Sequence, residues 1–184
     1  DGIASRGLGD VYKRQVEMTA EIADGWLPFM YSPLKGEEIY KDSLTNGFKK
    51  SGVSDKKDKF EIVTTVIGRV CEEEEVDEYL YPARNVYTLY VGGMGAKSKN
   101  FYYNLFCEYG YADIADELQN LYLSGNKKES EKMFPKELLE ELTLVGTKKD
   151  IEKKIEKWKE SNVTEISLSL PIDFDTVKFI KELL

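Results

Sequence analysis

Two rhythms of apolar and polar positions run along this chain. From 37 to 50 the apolar residues Ile39, Leu44 and Phe48 return at helical spacing and Gly52 stands just beyond, which predicts an amphipathic helix closed by a glycine. From 60 to 71 the rhythm changes to two: Ile62, Thr64 and Val66 share one face, and Val63, Thr65 and Ile67 share the other. Apolar or β-branched residues on both faces predict a parallel strand buried beneath helices. Helical spacing returns at 113–124, with Ile114, Leu118 and Leu121 in a stripe before Gly125. A further helix follows Thr147, where Asp150 completes a capping-box pattern, and buries Ile151, Ile155 and Trp158 before ending near Asn162. A last strand spans 163–170, with Ile166, Leu168 and Leu170 on one face and Ser167 and Ser169 on the other, and 174–184 reads as a closing helix.

The segments between these are punctuated by glycine and proline. Residues 16–23 read as the last turns of a helix, which breaks at Asp24-Gly25 and runs directly into the apolar stretch GWLPFMY at 25–31. Pro28 predicts that this strand is short or bulged. Four consecutive glutamates, Glu72 to Glu75, open the next helix, where acids complement the dipole; the competing reading is a metal site. That helix continues over 76–89 with an interruption expected at Pro82, and 91–95 reads as a glycine-rich turn. Residues 100–109 are aromatic and helical in pattern, and Pro135 suits the first turn of a helix reaching Leu142. Strands alternating with helices mean parallel crossovers and an α/β class. Three strands neither close a barrel nor fill a doubly wound sheet, so the pattern calls for partner strands from elsewhere.

Composition narrows the function. With 41% hydrophobic and 33% charged residues in 184, the chain has the makings of one packed domain or part of a larger one. A formal net charge of −8 argues against nucleic acid as a partner. No apolar run reaches the length of a membrane span, so no membrane partner is expected. Histidine is absent, which removes Ser-His and Cys-His mechanisms from these residues. Cys71 and Cys107 form no CxxC pair and read as reduced, packed thiols of a cytoplasmic protein. Residues 5–15, SRGLGDVYKRQ, resemble an in-frame translation of a transposase adapter used in sequencing libraries. Residues 1–15 are therefore expected to lie outside the native fold, with the gene continuing upstream of residue 16.

Five stretches carry a resemblance: AEIADGWLP at 20–28; YVGGMG followed by NFY at 100–102; YGY at 109–111; DELQNLYLSG at 116–125; and ELTLVGT at 141–147. In this order they resemble the C-terminal half of the luciferase-like monooxygenase family, in its deazaflavin (F420)-dependent oxidoreductase branch. The resemblance covers nearly everything after Val16. It implies the C-terminal part of a (β/α)8 barrel, about three strands plus helices, with a helical excursion before the last strand. It further implies F420 or, alternatively, FMN at the barrel mouth, hydride transfer to or from a small organic substrate, and a homodimer at full length. Chemistry in such barrels sits at the carboxyl ends of strands, here 29–32, 69–72 and 169–171. The acid-base residues of many family members belong to the other half, so no catalytic residue and no metal ligand is assigned. The alternative function is a non-catalytic barrel subunit that binds cofactor or a partner chain.

Each candidate residue has two readings. Asp24 and Gly25 fall where the family's chain approaches the cofactor; they also suit a helix C-cap needing positive φ. Trp26 either walls the ring pocket or packs as a core aromatic. Gly92, Gly93 and Met94 form a hinge or lid near the substrate, or a plain tight turn. Tyr31 and Ser169 stand at strand ends facing the pocket, though a tyrosine and a serine there are also ordinary packing residues.

Overall fold

The computed structural model describes residues 8–95, 99–169 and 173–184. Residues 1–7, which include the start of the adapter-like stretch, and Leu170 and Pro171 of the last strand end lie outside the described residues. Helix α1 (Leu8–Ile22) covers the remainder of that stretch and continues through the expected helical turns. It ends with the Ala23 amide donating to the Thr19 carbonyl, and strand β1 follows at once but is only two residues long (Gly25–Trp26). Pro28 has no amide hydrogen for a ladder, which accounts for the early stop. Instead its carbonyl accepts from Thr64 Oγ1 at 3.3 Å, so the chain still runs beside the next strand without pairing to it.

Helix α2 (Gly36–Ser51) buries Tyr40 and Leu44, while Ile39 and Phe48 pack at the margin; Gly52 closes it at φ 70°. A single turn, α3 (Lys56–Lys59), leads into β2 (Glu61–Val70), the spine of the sheet. Here the expectation of two buried faces is corrected. Ile62, Thr64, Val66 and Gly68 are buried, but Glu61 and Thr65 are exposed and Val63 and Ile67 only half-buried, because no layer among the described residues covers that side.

After a 3-10 turn (Glu73–Glu75), α4 runs without a break from Val76 to Gly93. The expected interruption at Pro82 does not occur. Its neighbours Leu80 and Ala83 are fully buried, as is Tyr87 one turn on, and that packing outweighs the missing hydrogen bond. The expected turn at 91–95 is also corrected: Val91, Gly92 and Gly93 are helical, and the chain leaves the helix only at Met94. The excursion continues with α5 (Phe101–Phe106), a π-type turn (Cys107–Tyr111), α6 (Ala112–Leu123), α7 (Lys127–Met133) and α8 (Lys136–Glu141). Asn100 caps α5 by accepting from the Tyr102 and Tyr103 amides.

A strand absent from the sequence reading, β3 (Leu144–Gly146), then returns to the sheet before α9 (Lys148–Glu160), β4 (Glu165–Ser169) and α10 (Phe174–Leu183). The capping box of α9 forms as expected, with the Asp150 amide on Thr147 Oγ1 and the Thr147 amide on Asp150 Oδ2, both at 3.3 Å. Ile151, Ile155 and Trp158 are buried beneath it.

All pairings are parallel, and all use β2. The amides of Glu61 and Cys71 donate to Asp24 of β1's approach and to Gly146 of β3. The carbonyl of Ile62, facing the other way, accepts from Thr164 before β4. Successive residues of a parallel strand address opposite edges, so β1 and β3 share one edge of β2, at its amino and carboxyl ends respectively, and β4 takes the other. The result is a small parallel α/β sheet with helices on one face.

Candidate functional site

Strand parity sorts the sheet into two surfaces. The Ile62–Thr64–Val66–Gly68 side, with Ile166 and Leu168 in register on β4, lies under the helices. A Cβ on Gly68 would stand 3.0 Å from Leu168 and 3.4 Å from Ile180 of α10, so that layer is close-packed. The opposite side carries Val63, Thr65 and Ile67, in register with Glu165, Ser167 and Ser169. It is the open side: Thr65 and Ser167 are exposed, and Leu27, one residue beyond β1, is 77% exposed.

At the carboxyl ends of β2, β3 and β4 lies an open groove of about 520 Å³. Three cations (Arg69, Lys148, Lys178) and three acids (Asp173, Asp175, Glu182) line it. Arg69 is held on two sides. Its Nη1 donates to Asp173 Oδ2 at 2.5 Å, and its guanidinium lies 4.7 Å from the centre of the Tyr79 ring. Its Nε is buried with no partner among the described residues. Asp173 is also the N-cap of α10, accepting from the Thr176 amide at 2.8 Å and the Thr176 hydroxyl at 2.6 Å. These bonds, and the nearby Arg69, hold its carboxyl below the usual carboxylate range. Lys148 sits 5.3 Å from the centre of the Phe179 ring, across the groove wall.

The residues singled out in the sequence are not brought to one place. Asp24 projects into solvent near Lys56 at 3.8 Å, and its backbone carbonyl, rather than its carboxylate, engages the sheet. Gly25 does not take positive φ; a Cβ there would meet the Glu61 carbonyl oxygen at 2.8 Å, so close approach of two strands, not a helix cap, requires glycine. Trp26 is buried on the helix-facing side, edge-on to Tyr40 at 4.7 Å and Tyr31 at 6.0 Å. All three stand beside the amino end of β2. Tyr31 is buried too, hydrogen-bonded to Asn162 and stacked on Tyr40. Ser169 ends β4 on the open side. Gly92 and Gly93 are the points where α4 touches α6: Cβ atoms there would stand 2.6 and 2.5 Å from Tyr122. Met94, just past them, is 48% exposed. Of the glutamates, Glu75 caps its own turn by accepting from the Glu72 amide at 3.0 Å. Both cysteines are free, and burial raises both thiols, which disfavours the thiolate.

The corner after β1 is a feature that sequence reading missed. Met30 takes φ 56°, the one non-glycine residue in that region among those described. Such a conformation is strained and persists only where the surroundings impose it. Here Tyr109, from the π-type turn, donates to the Met30 carbonyl at 2.6 Å and accepts from the Ser32 amide at 3.1 Å. Lys35 returns to the Tyr109 carbonyl at 2.5 Å, and Ser32 bonds Glu141. Phe29, beside the corner, meets Tyr90 at 4.5 Å and Tyr102 at 5.9 Å between ring centres. The only signal in the sequence is the aromatic density of 100–111, which does not say what it grips.

Comparison with known proteins agrees with this geometry. A family model described as luciferase-like monooxygenase matches residues 11–165. A curated protein of Mycobacterium tuberculosis, named provisionally as a coenzyme F420-dependent oxidoreductase, is 32% identical over 157 residues. That match takes in 85% of this chain and 44% of the relative. The fold is shared with the coenzyme F420-dependent tetrahydromethanopterin reductase of Methanopyrus kandleri, at a TM-score of 0.66 and 20% identity over 93% of this chain and 46% of that one. An F420-dependent secondary alcohol dehydrogenase, solved with an F420-acetone adduct, matches at 0.58 and 13% identity, over 94% of this chain and 45% of the other. The chain thus spans about half the length of the relatives it matches.

Proposed function

The chain belongs to the luciferase-like monooxygenase family, and from that premise we propose that it supplies the carboxyl half of a (β/α)8 barrel that moves a hydride between coenzyme F420 and a small organic substrate. One observation carries this reading. The parallel sheet is covered by helices on one face and open on the other, and the open face leads up to a groove bearing cations at the strands' carboxyl ends, where barrel enzymes place their chemistry. On this reading the open face is barrel interior, and further strands stand beside β1 and β4.

The residues present suit such a cofactor. The small side chains of Thr65, Ser167 and Ser169 leave room beside a planar ring and offer hydroxyl donors. Arg69, Lys148 and Lys178 complement an anionic phosphate. When bound, the deazaflavin supplies the hydride chemistry. This chain's part is to bind, to orient and to exclude water. The Tyr109 clamp fixes the β1 corner, and the Phe29–Tyr90–Tyr102 cluster keeps the excursion against it.

The test is to titrate F420 and FMN separately into the protein joined to the remainder of its barrel, following fluorescence quenching. Saturable quenching of F420, with FMN at least about tenfold weaker (1.4 kcal/mol), is the expected result. Tight FMN binding without F420 binding overturns the cofactor assignment; binding of neither overturns the reading as a whole.

A further inference from the structure

Lys154, like Lys35, is bonded to a backbone carbonyl rather than to a carboxylate. Lys50, Lys132 and Lys136 each meet a carboxylate within 4 Å, whereas no carboxylate among the described residues lies that close to Lys154 Nζ. Its partner is a neutral oxygen: Nζ donates to the Val145 carbonyl of β3 at 2.7 Å. The side chain is half-buried on α9 and borders two grooves. The first, of about 320 Å³, includes Glu73, Gly146 and Lys153; the second, of about 220 Å³, includes Pro33, Leu34 and Trp158. Lys157 and Glu140 border both. Each groove has room for a small molecule to reach the amine.

The bond to a carbonyl matters chemically. An ammonium paired with a carboxylate loses that pairing when it gives up its proton. An amine bonded to a neutral carbonyl still donates after deprotonation, and its lone pair then points away from that carbonyl. The charged groups around it are Glu140 on α8, Asp150 and Lys157 on α9, and Cys71 at the end of β2. Burial dominates over the two carboxylates and pushes the amine down to about 8.

We propose that Lys154 is a modification site, its amine taking an acyl group from small acyl phosphates that enter the adjoining groove. Lys153 and Lys157 complement the phosphate, in a groove that Glu73, Glu140 and Asp150 also line. The amine nitrogen attacks the acyl carbon, the bond from that carbon to the phosphate oxygen breaks, inorganic phosphate leaves and the surplus amine proton passes to solvent. The product amide carries no charge and adds bulk beside Val145, so the modification falls on β3, the strand that pairs with the carboxyl end of β2. Neither the F420 reading nor the groove at Arg69 uses this amine.

The wild-type protein is incubated with acetyl phosphate from pH 7 to 10 and acetylation of each lysine is quantified by peptide mass spectrometry. At pH 8, Lys154 is expected to react about tenfold faster than exposed Lys49 and Lys128, because the groove holds the acyl phosphate beside its amine. Its rate should be half-maximal near pH 8. Lys153→Ala with Lys157→Ala should slow labelling of Lys154 by acetyl phosphate. The proposal is overturned if Lys154 lags behind the exposed lysines at every pH, or if its rate tracks theirs.

Discussion

Asp173 joins two elements through one carboxylate at the lip of the groove: it caps α10 through Thr176 and grips Arg69 at the end of β2. Its lowered pKa gives this a pH signature. A depressed carboxyl contributes stability above the unfolded-state value, near ~4, and loses it as the pH falls through the folded-state value. Asp173→Ala should therefore cost about 1 kcal/mol at pH 7, the usual size of a lost N-cap. In chemical denaturation the gap between the two proteins should close progressively below pH ~4. A gap that is constant with pH would mean that the carboxylate's charge contributes nothing. At this scale much was legible in advance: the Thr147–Asp150 box, Gly52 after α2 and the buried stripe of α9 all depend on neighbours within one turn. Asp173 was not, because its partner Arg69 is 104 residues away.

Among the elements, the α4–α6 contact shows how a glycine pair is read and misread. Gly92-Gly93 looks like a turn in a string of letters, yet both glycines are helical and lie flat against Tyr122. Gly92→Ala would place its Cβ 2.6 Å from the Tyr122 Cβ, an atom that cannot swing away without moving α6. Overpacking of this kind costs about 1–3 kcal/mol. Thermal melts should show the loss, and they should show less of it when the same change is made beside Tyr122→Gly, which removes that Cβ together with the ring. Equal losses in both backgrounds would place the strain elsewhere. Strand β3 was missed for a related reason. Three residues hold no periodicity, and only the edge of β2 left unpaired beyond the end of β1 at Trp26 makes a strand of them.

For the whole molecule, the open sheet face and the unpaired edges of β1 and β4 set the solution behaviour. Parallel sheets are normally buried on both faces, and uncovered edges template association. This chain expressed alone should self-associate, which light scattering after size exclusion would detect as a mass above 21.1 kDa that grows with concentration. A monodisperse monomer with one cooperative melt would contradict the half-barrel reading. The described residues also include no helix long and apolar enough to cross a membrane.

Helix positions, caps, the parallel class and the family were accessible from the order of residues, because each rests on spacing within a few turns or on strings of adjacent letters. Which strand face stays uncovered, why Met30 is held in a strained corner by Tyr109, and which cations gather beside Arg69 were decided only by the packed chain. Those features join residues 79 to 109 positions apart (Met30 with Tyr109, Arg69 with Lys148 and Lys178), and contacts at that distance arise from the shape of the surfaces that meet, which no local pattern encodes.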